Sequence, residues 1–136
     1  MSASNRRELP TITCLLALGL LAVGEPSLQE LERRCQSDSD GTSCYKAAFM
    51  YAFAMGVEKD LPKAATLYER SCQLGAWTGC HDIAVMYERG EGVPKDEPKA
   101  KRFYAEQTRL MEKACSAGNK PTCRLLERWR SQGLLP

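Results

Sequence analysis

The chain has 136 residues, 26% of which are charged, and its formal net charge is +2 at pH 7. This length suffices for one domain with a modest core. The positive charges are not gathered into a basic patch, so the composition argues against a nucleic-acid partner.

The beginning of the chain predicts an export signal. Arg6 and Arg7 lie in a polar start, and residues 12–23 form an uncharged apolar run that ends in small residues. This order is typical of a secretory signal peptide, and the run is shorter than the roughly 20 residues of a membrane span. We therefore predict a cleaved signal peptide over residues 1–24 and a secreted or periplasmic domain over residues 25–136. A twin-arginine signal is the alternative export route.

A motif recurs at a spacing of 36 residues along the chain. One copy begins at Tyr51 and the other at Tyr87, and both continue through glycine-valine, aspartate, proline and lysine-alanine at matching offsets. Such a period is typical of α-solenoids, because one helical hairpin cannot bury its apolar face alone and must stack on another. We predict an all-α fold, a short solenoid of α/α hairpins, with full repeats over residues 44–79 and 80–122 and a partial repeat at each end.

Glycine, aspartate and proline predict the turn inside each hairpin. The glycines tolerate the positive φ that ends a helix. Each aspartate lies two residues before a proline, where aspartate caps the next helix and proline fits its first turn. Ala54 takes the place of one glycine in the first copy, so we expect that turn to be less relaxed. The residues assigned to the turns are Gly56, Asp60, Gly90, Gly92 and Asp96.

Six of the seven cysteines would remain after export, and their spacing predicts disulfides. An even number of cysteines in an exported chain favours disulfides, although six cysteines allow 15 connectivities. A cysteine at each helix end is followed eight or nine residues later by another at the next helix start, and a short loop brings such positions within bonding distance. The alternative is a zinc site, but zinc-binding cysteines usually lie two to four residues apart; we predict no metal and no cofactor. The predicted pairs are Cys35–Cys44, Cys72–Cys80 and Cys115–Cys123.

The second helix of the last full repeat is predicted to be unusually long. Eight residues separate Ala64 from Cys72, whereas fifteen separate Ala100 from Cys115. The seven extra residues make two helical turns, about 10 Å, and keep the apolar stripe nearly in phase. This extension of helix 98–115 either shapes a binding surface or covers the last helix.

The turn motif resembles the Sel-1-like repeat, a relative of the tetratricopeptide repeat. The first copy departs from the pattern only at Ala54, and the second copy follows it throughout. With its paired cysteines, the chain is similar to the Helicobacter cysteine-rich protein family, which comprises exported Sel-1-like proteins with a disulfide in each repeat. The resemblance covers nearly all of residues 27–133 and implies a solenoid whose surface binds other molecules. The matching residues of the second copy are Tyr87, Gly90, Gly92, Val93, Asp96, Lys99 and Ala100.

The leading functional hypothesis is an exported module that binds a peptide or a protein. By analogy with tetratricopeptide-like folds, the first helix of each hairpin would line the concave face. The candidate exposed binding positions there are Tyr45, Lys46, His81 and Asp82. Adjacent residues do not face each other on a helix, so His81 and Asp82 are expected to be an exposed polar pair and not a catalytic dyad.

Two alternatives come from other classes of protein. The family resemblance implies a weak β-lactamase or penicillin-binding protein, and Ser43 and Lys46 fit the Ser-x-x-Lys pattern of serine β-lactamases. The sequence lacks the companion Ser-Asp-Asn and Lys-Thr-Gly motifs, and Ser43 is also a natural helix cap, so capping is favoured over catalysis. The other alternative is a disulfide-dependent assembly factor in an oxidising compartment of a eukaryotic cell.

Overall fold

The computed structural model describes residues 24–135, and these form an all-α solenoid, as predicted. The predicted signal peptide lies outside the described residues except for Gly24. Within the described part of the chain, no helix is long and apolar enough to cross a membrane. The helices, in chain order, are α1 (Leu28–Ser37), α2 (Gly41–Phe53), α3 (Leu61–Gln73), α4 (Trp77–Arg89), α5 (Glu97–Ser116) and α6 (Lys120–Ser131).

The core lies between consecutive helices. Each helix packs against the next, and the first helices of the two full hairpins, α2 and α4, also touch each other. Alanines at these contacts let the helices approach closely, and two tyrosines fill the remaining space. The buried residues of this kind are Ala47, Ala48, Tyr51, Ala64, Ala84, Tyr87 and Ala100.

The repeated motif residues hold each hairpin turn together. In the second copy, the Asp96 carboxylate accepts the Lys99 backbone N–H at 2.9 Å, and the Asp96 N–H donates to the Tyr87 carbonyl at 2.9 Å. The Lys99 ammonium donates to the Tyr87 hydroxyl at 2.5 Å and lies 4.2 Å from the centre of that ring. The first copy repeats these contacts through Tyr51, Asp60 and Lys63. The motif is therefore explained by the hairpin itself, without a ligand.

Ala54 adopts the left-handed conformation that glycine has in the second copy. Its φ and ψ are 53° and 41°, close to the 69° and 38° of Gly90. A left-handed conformation costs an L-residue about 1–2 kcal/mol, although glycine also makes the unfolded chain more flexible. We therefore expect Ala54→Gly to raise the free energy of unfolding in urea by about 0.5–1 kcal/mol. Gly90→Ala should lower it, and a loss of stability in Ala54→Gly would contradict the assigned turn.

Three disulfides fasten consecutive hairpins to one another. Each joins the last turn of a second helix to the first turn of the next first helix, with Cα–Cα distances of 4.5–4.8 Å. The first two are buried and the third is half-buried. All six cysteines among residues 24–135 are bonded in this way, so none of them is available as a thiolate ligand for zinc. The pairs are Cys35–Cys44, Cys72–Cys80 and Cys115–Cys123.

Helix α5 is seven residues longer than α3, with 20 residues against 13. Its added turns pack against α6 and bury Gln107, Leu110 and Met111. The extension therefore covers the last helix, and it also contributes to the cavity described below.

Candidate binding surface

Only one of the four residues predicted to lie exposed on a binding face is fully exposed. Lys46 is exposed, but Tyr45, His81 and Asp82 are half-buried, so the prediction of an exposed His81–Asp82 pair was wrong. Tyr45 of α2 covers Asp82 of α4 where these first helices touch, and side chains of α5 and α6 cover His81. Burial raises the pKa of Asp82, partly offset by the Tyr45 hydroxyl and by His81. Burial, together with the Asp82 carboxylate, raises the pKa of Tyr45 to about 12.

Ser43 lies inside α2 and does not cap it, contrary to the prediction from sequence. The N-cap is Asp40, whose carboxylate accepts the Thr42 N–H at 3.0 Å. The Ser43 hydroxyl is buried and donates to the other carboxylate oxygen of Asp40 at 2.6 Å, which holds the pKa of Asp40 below its ordinary value. The Ser43 hydroxyl is thus bonded within the helix start, whereas Lys46 is exposed.

A cavity of about 630 Å³ lies between α4, α5 and the chain that follows α6. We call it the C-terminal pocket. The His81 ring centre lies 5.9 Å from that of Tyr104 and 6.1 Å from that of Trp129, so three rings from three helices share the site. The other lining residues are Glu88, Lys101, Ala105, Gln107, Leu134 and Leu135.

Backbone and side-chain hydrogen bonds shape this pocket. After α6 the Leu134 N–H donates to the Trp129 carbonyl at 2.9 Å, which turns the chain so that Leu134 and Leu135 reach the cavity. The Tyr104 hydroxyl donates to the Glu88 carboxylate at 3.1 Å. Burial and the Glu88 carboxylate raise the pKa of Tyr104 to about 12.

Gln107 fixes the histidine of the pocket. It is 2% exposed, its Oε1 lies 3.3 Å from Nδ1 of His81, and its amide donates to the Met111 sulfur at 3.8 Å.

Sequence reasoning missed Gln107 and Trp129 as site residues. It could have paired His81 with Tyr104, because these stand one repeat after Tyr45 and Tyr68, whose rings pack 5.5 Å apart. No comparable signal pointed to Gln107, which lies in the added turns of α5.

A second cavity of about 600 Å³ lies between the start of the described chain, α1 and α2. We call it the N-terminal groove. Beside it, the rings of Phe49 and Phe53 lie 4.5 Å apart. Phe49, Phe53 and Met55 are 37%, 63% and 52% exposed, respectively. The lining residues are Glu25, Pro26, Leu31, Tyr45, Lys46, Phe49, Met50, Met55 and Gly56.

The repeats match a known family, and solved structures share the fold. Residues 41–75, 77–106 and 109–119 match the Sel1 repeat. Helicobacter pylori cysteine rich protein B (hcpB) is similar at a TM-score of 0.58 and 30% identity, over 72% of this chain and 68% of that one. The comparison with curated proteins gives no match.

Two less similar structures support the fold alone. A Sel1 repeat protein from Oxalobacter formigenes has a TM-score of 0.55 and 20% identity, over 61% of this chain and 35% of that one. The protein c5321, a protective antigen of uropathogenic Escherichia coli with an SLR fold, has a TM-score of 0.57 and 23% identity, over 79% of this chain and 21% of that one. The chain therefore spans about a third and a fifth of these two proteins, respectively. Because the Sel1 segments cover more than half of the sequence, the chain belongs to the Sel1 repeat family.

Proposed function

We propose that the protein binds a peptide, or a flexible segment of another protein, at the C-terminal pocket. The observation that carries this proposal is a cavity of about 630 Å³ lined by three aromatic rings. Its volume lies within the range of roughly 300–1,000 Å³ that is usual for ligand sites. Aromatic residues in such positions supply much of the binding energy at protein interfaces, and stacked repeats present extended surfaces to partners.

The chemistry of the lining favours an apolar or aromatic side chain of the partner. Trp129 and Tyr104 offer ring faces and edges, and Leu134 adds an exposed aliphatic wall. Glu88 and Lys101 carry opposite charges beside this apolar surface. Glu88 can accept from a backbone N–H and Lys101 can donate to a backbone C=O, so the proposed ligand is an extended peptide with one large apolar side chain.

The other two hypotheses gain no support from the geometry. The Ser43 hydroxyl is buried and bonded to Asp40, so we do not propose β-lactam chemistry there. No observation on the described residues favours an assembly factor over a general binding module.

A blocking substitution tests the proposed site. Peptides selected from a displayed random library on the purified, oxidised protein should bind Ala105→Arg at least about tenfold more weakly, because the new side chain fills the pocket. Ala105 is exposed and lines the cavity, so this change should leave the fold intact. Ala117→Arg is the matched control, since Ala117 is also exposed but lies outside the lining of the pocket. Equal binding by both variants, measured by fluorescence anisotropy, would overturn the proposed site.

We also propose that residues 1–24 are a signal peptide and that the protein works in the periplasm or outside the cell. Three disulfides fit an oxidising compartment. When the full chain is expressed in a Gram-negative bacterium, mass spectrometry of the periplasmic fraction should give Glu25 as the first residue. Recovery of the uncleaved chain with free thiols from the cytoplasm would contradict export.

A further inference from the structure

The N-terminal groove lies where the repeat pattern would place one more first helix. The first described helix is α1, whose last turn carries Cys35 just as the last turns of the second helices α3 and α5 carry Cys72 and Cys115. Each of those later helices packs against a first helix that precedes it. Within residues 24–135, α1 has no such predecessor.

Equivalent positions in the next repeat show what normally covers this surface. Lys46 of α2 corresponds to Asp82 of α4, and Asp82 is covered by Tyr45 from the preceding first helix. Met50 likewise corresponds to Met86, which is buried at 6% exposure, whereas Met50 itself is only half-buried. The side of α2 that lines the groove is therefore the side that α4 uses to contact its preceding helix.

The second helices can be compared in the same way, with α1 set against α3. Leu31 of α1 corresponds to Tyr68 of α3, whose ring packs 5.5 Å from that of Tyr45 on the preceding first helix. Leu31 lines the base of the N-terminal groove but is already buried, at 3% exposure. The apolar surface that remains open in the groove therefore comes from α2, on the side that an internal first helix turns toward the preceding one.

The surroundings of the groove are apolar, with one exposed cation. Phe49, Phe53 and Met55 are three of the four large exposed apolar residues among residues 24–135, and such clusters mark interaction sites. Lys46 forms no ion pair with any other described residue and occupies the position at which α4 has Asp82. A helix bound in the groove would contact Lys46 of α2, whereas α2 contacts Asp82 at the equivalent position of α4.

We propose that the N-terminal groove binds an amphipathic helix of a partner protein, in the position that a preceding first helix takes in the internal repeats. The apolar face of that helix packs on Phe49 and Met50, which line the groove, and an acidic side chain at its position equivalent to Tyr45 pairs with Lys46. This is recognition of a helix in a groove, with the internal repeats as its template. The proposal is independent of the C-terminal pocket, which lies on other helices.

A peptide based on α2 tests this directly. The probe is residues 41–53 with Cys44→Ser and Tyr45→Glu, stapled through positions 42 and 46 because both are exposed in α2, and because a helix of this length is unstable alone. The control peptide carries Tyr45→Lys. Against the oxidised chain that begins at Glu25, the proposed exported form, calorimetry at low salt should show the glutamate peptide binding about fivefold more tightly than the lysine peptide.

The charge-reversed protein completes the test. Lys46→Glu should invert the preference, so that the lysine peptide binds more tightly; circular dichroism checks that the exposed substitution leaves the fold unchanged. Failure of both peptides to bind, or the same preference for both proteins, would overturn the proposal. A dimer that Lys46→Glu dissociates would assign the groove to a second copy. A full chain that is exported uncleaved and binds neither peptide would assign the groove to the chain's own N-terminal segment; both outcomes also overturn the proposal.

Discussion

Gly92→Ala is expected to lower the free energy of unfolding by about 3 kcal/mol. Gly92 has a φ of +72°, and a β-carbon built there would lie 2.7 Å from the carbonyl carbon and oxygen of Leu61. Those atoms belong to the backbone of the preceding hairpin and cannot swing aside as a flexible side chain would. The left-handed conformation adds its own cost of about 1–2 kcal/mol. Urea denaturation of the oxidised protein measures the combined loss of stability from the steric contact and the backbone conformation.

Gly56 provides a matched control one repeat earlier. It has nearly the same φ, +71°, but a β-carbon there would have no neighbour within 4 Å. Gly56→Ala should therefore cost only the conformational penalty, about 1 kcal/mol. The difference between the two variants isolates the contact that the second hairpin turn makes with the first hairpin. Equal losses would contradict the stacking of consecutive hairpins at this turn.

Removing the central disulfide is expected to have a similarly large effect. The double variant Cys72→Ala, Cys80→Ala should lose about 2–3 kcal/mol from the larger entropy of its unfolded chain, and more from the space left by two buried sulfur atoms. Both cysteines are buried, at 3% and 0% exposure, and they join the two full hairpins. Guanidinium unfolding should show a lower midpoint.

The terminal disulfide is the comparison for this prediction. Cys115→Ala, Cys123→Ala removes a bond that closes a loop of the same length, with a sequence separation of 8 in both cases. Its two cysteines are only half-buried, and the bond holds α6 alone at the end of the stack. The loss should be smaller than for the central pair. A larger loss would show that stability is concentrated at the C-terminal end.

Local patterns made the hairpins predictable from sequence. The residues of each turn, and the two cysteines of each pair, lie within ten residues of one another. Counting the residues between turns and cysteines therefore predicts the order of the helices and the length of α5. The structure explains the repeated tyrosine, aspartate and lysine as one network of hydrogen bonds around Tyr87 and its counterpart Tyr51. Because these side chains stabilise the turn itself, the motif gives little information about a ligand.

The candidate site depended on contacts between distant parts of the chain. Tyr45 and Asp82 were expected to be exposed, but they cover one another because α2 touches α4. Gln107 reaches His81 across 26 positions of sequence, and no spacing rule joins the two. The Ser43 cap was misplaced because Asp40, three residues earlier, offers a carboxylate to both Thr42 and Ser43.

Methyl signals of the leucines in a peptide titration, followed by NMR, would test the central claim most directly. Leu134 and Leu135 line the C-terminal pocket, whereas Leu67 is buried in the first full hairpin and lines neither cavity. With a peptide selected on the protein, we expect the methyl signals of Leu134 and Leu135 to shift in proportion to occupancy while that of Leu67 stays in place. Saturating binding that leaves Leu134 and Leu135 unmoved would contradict the account.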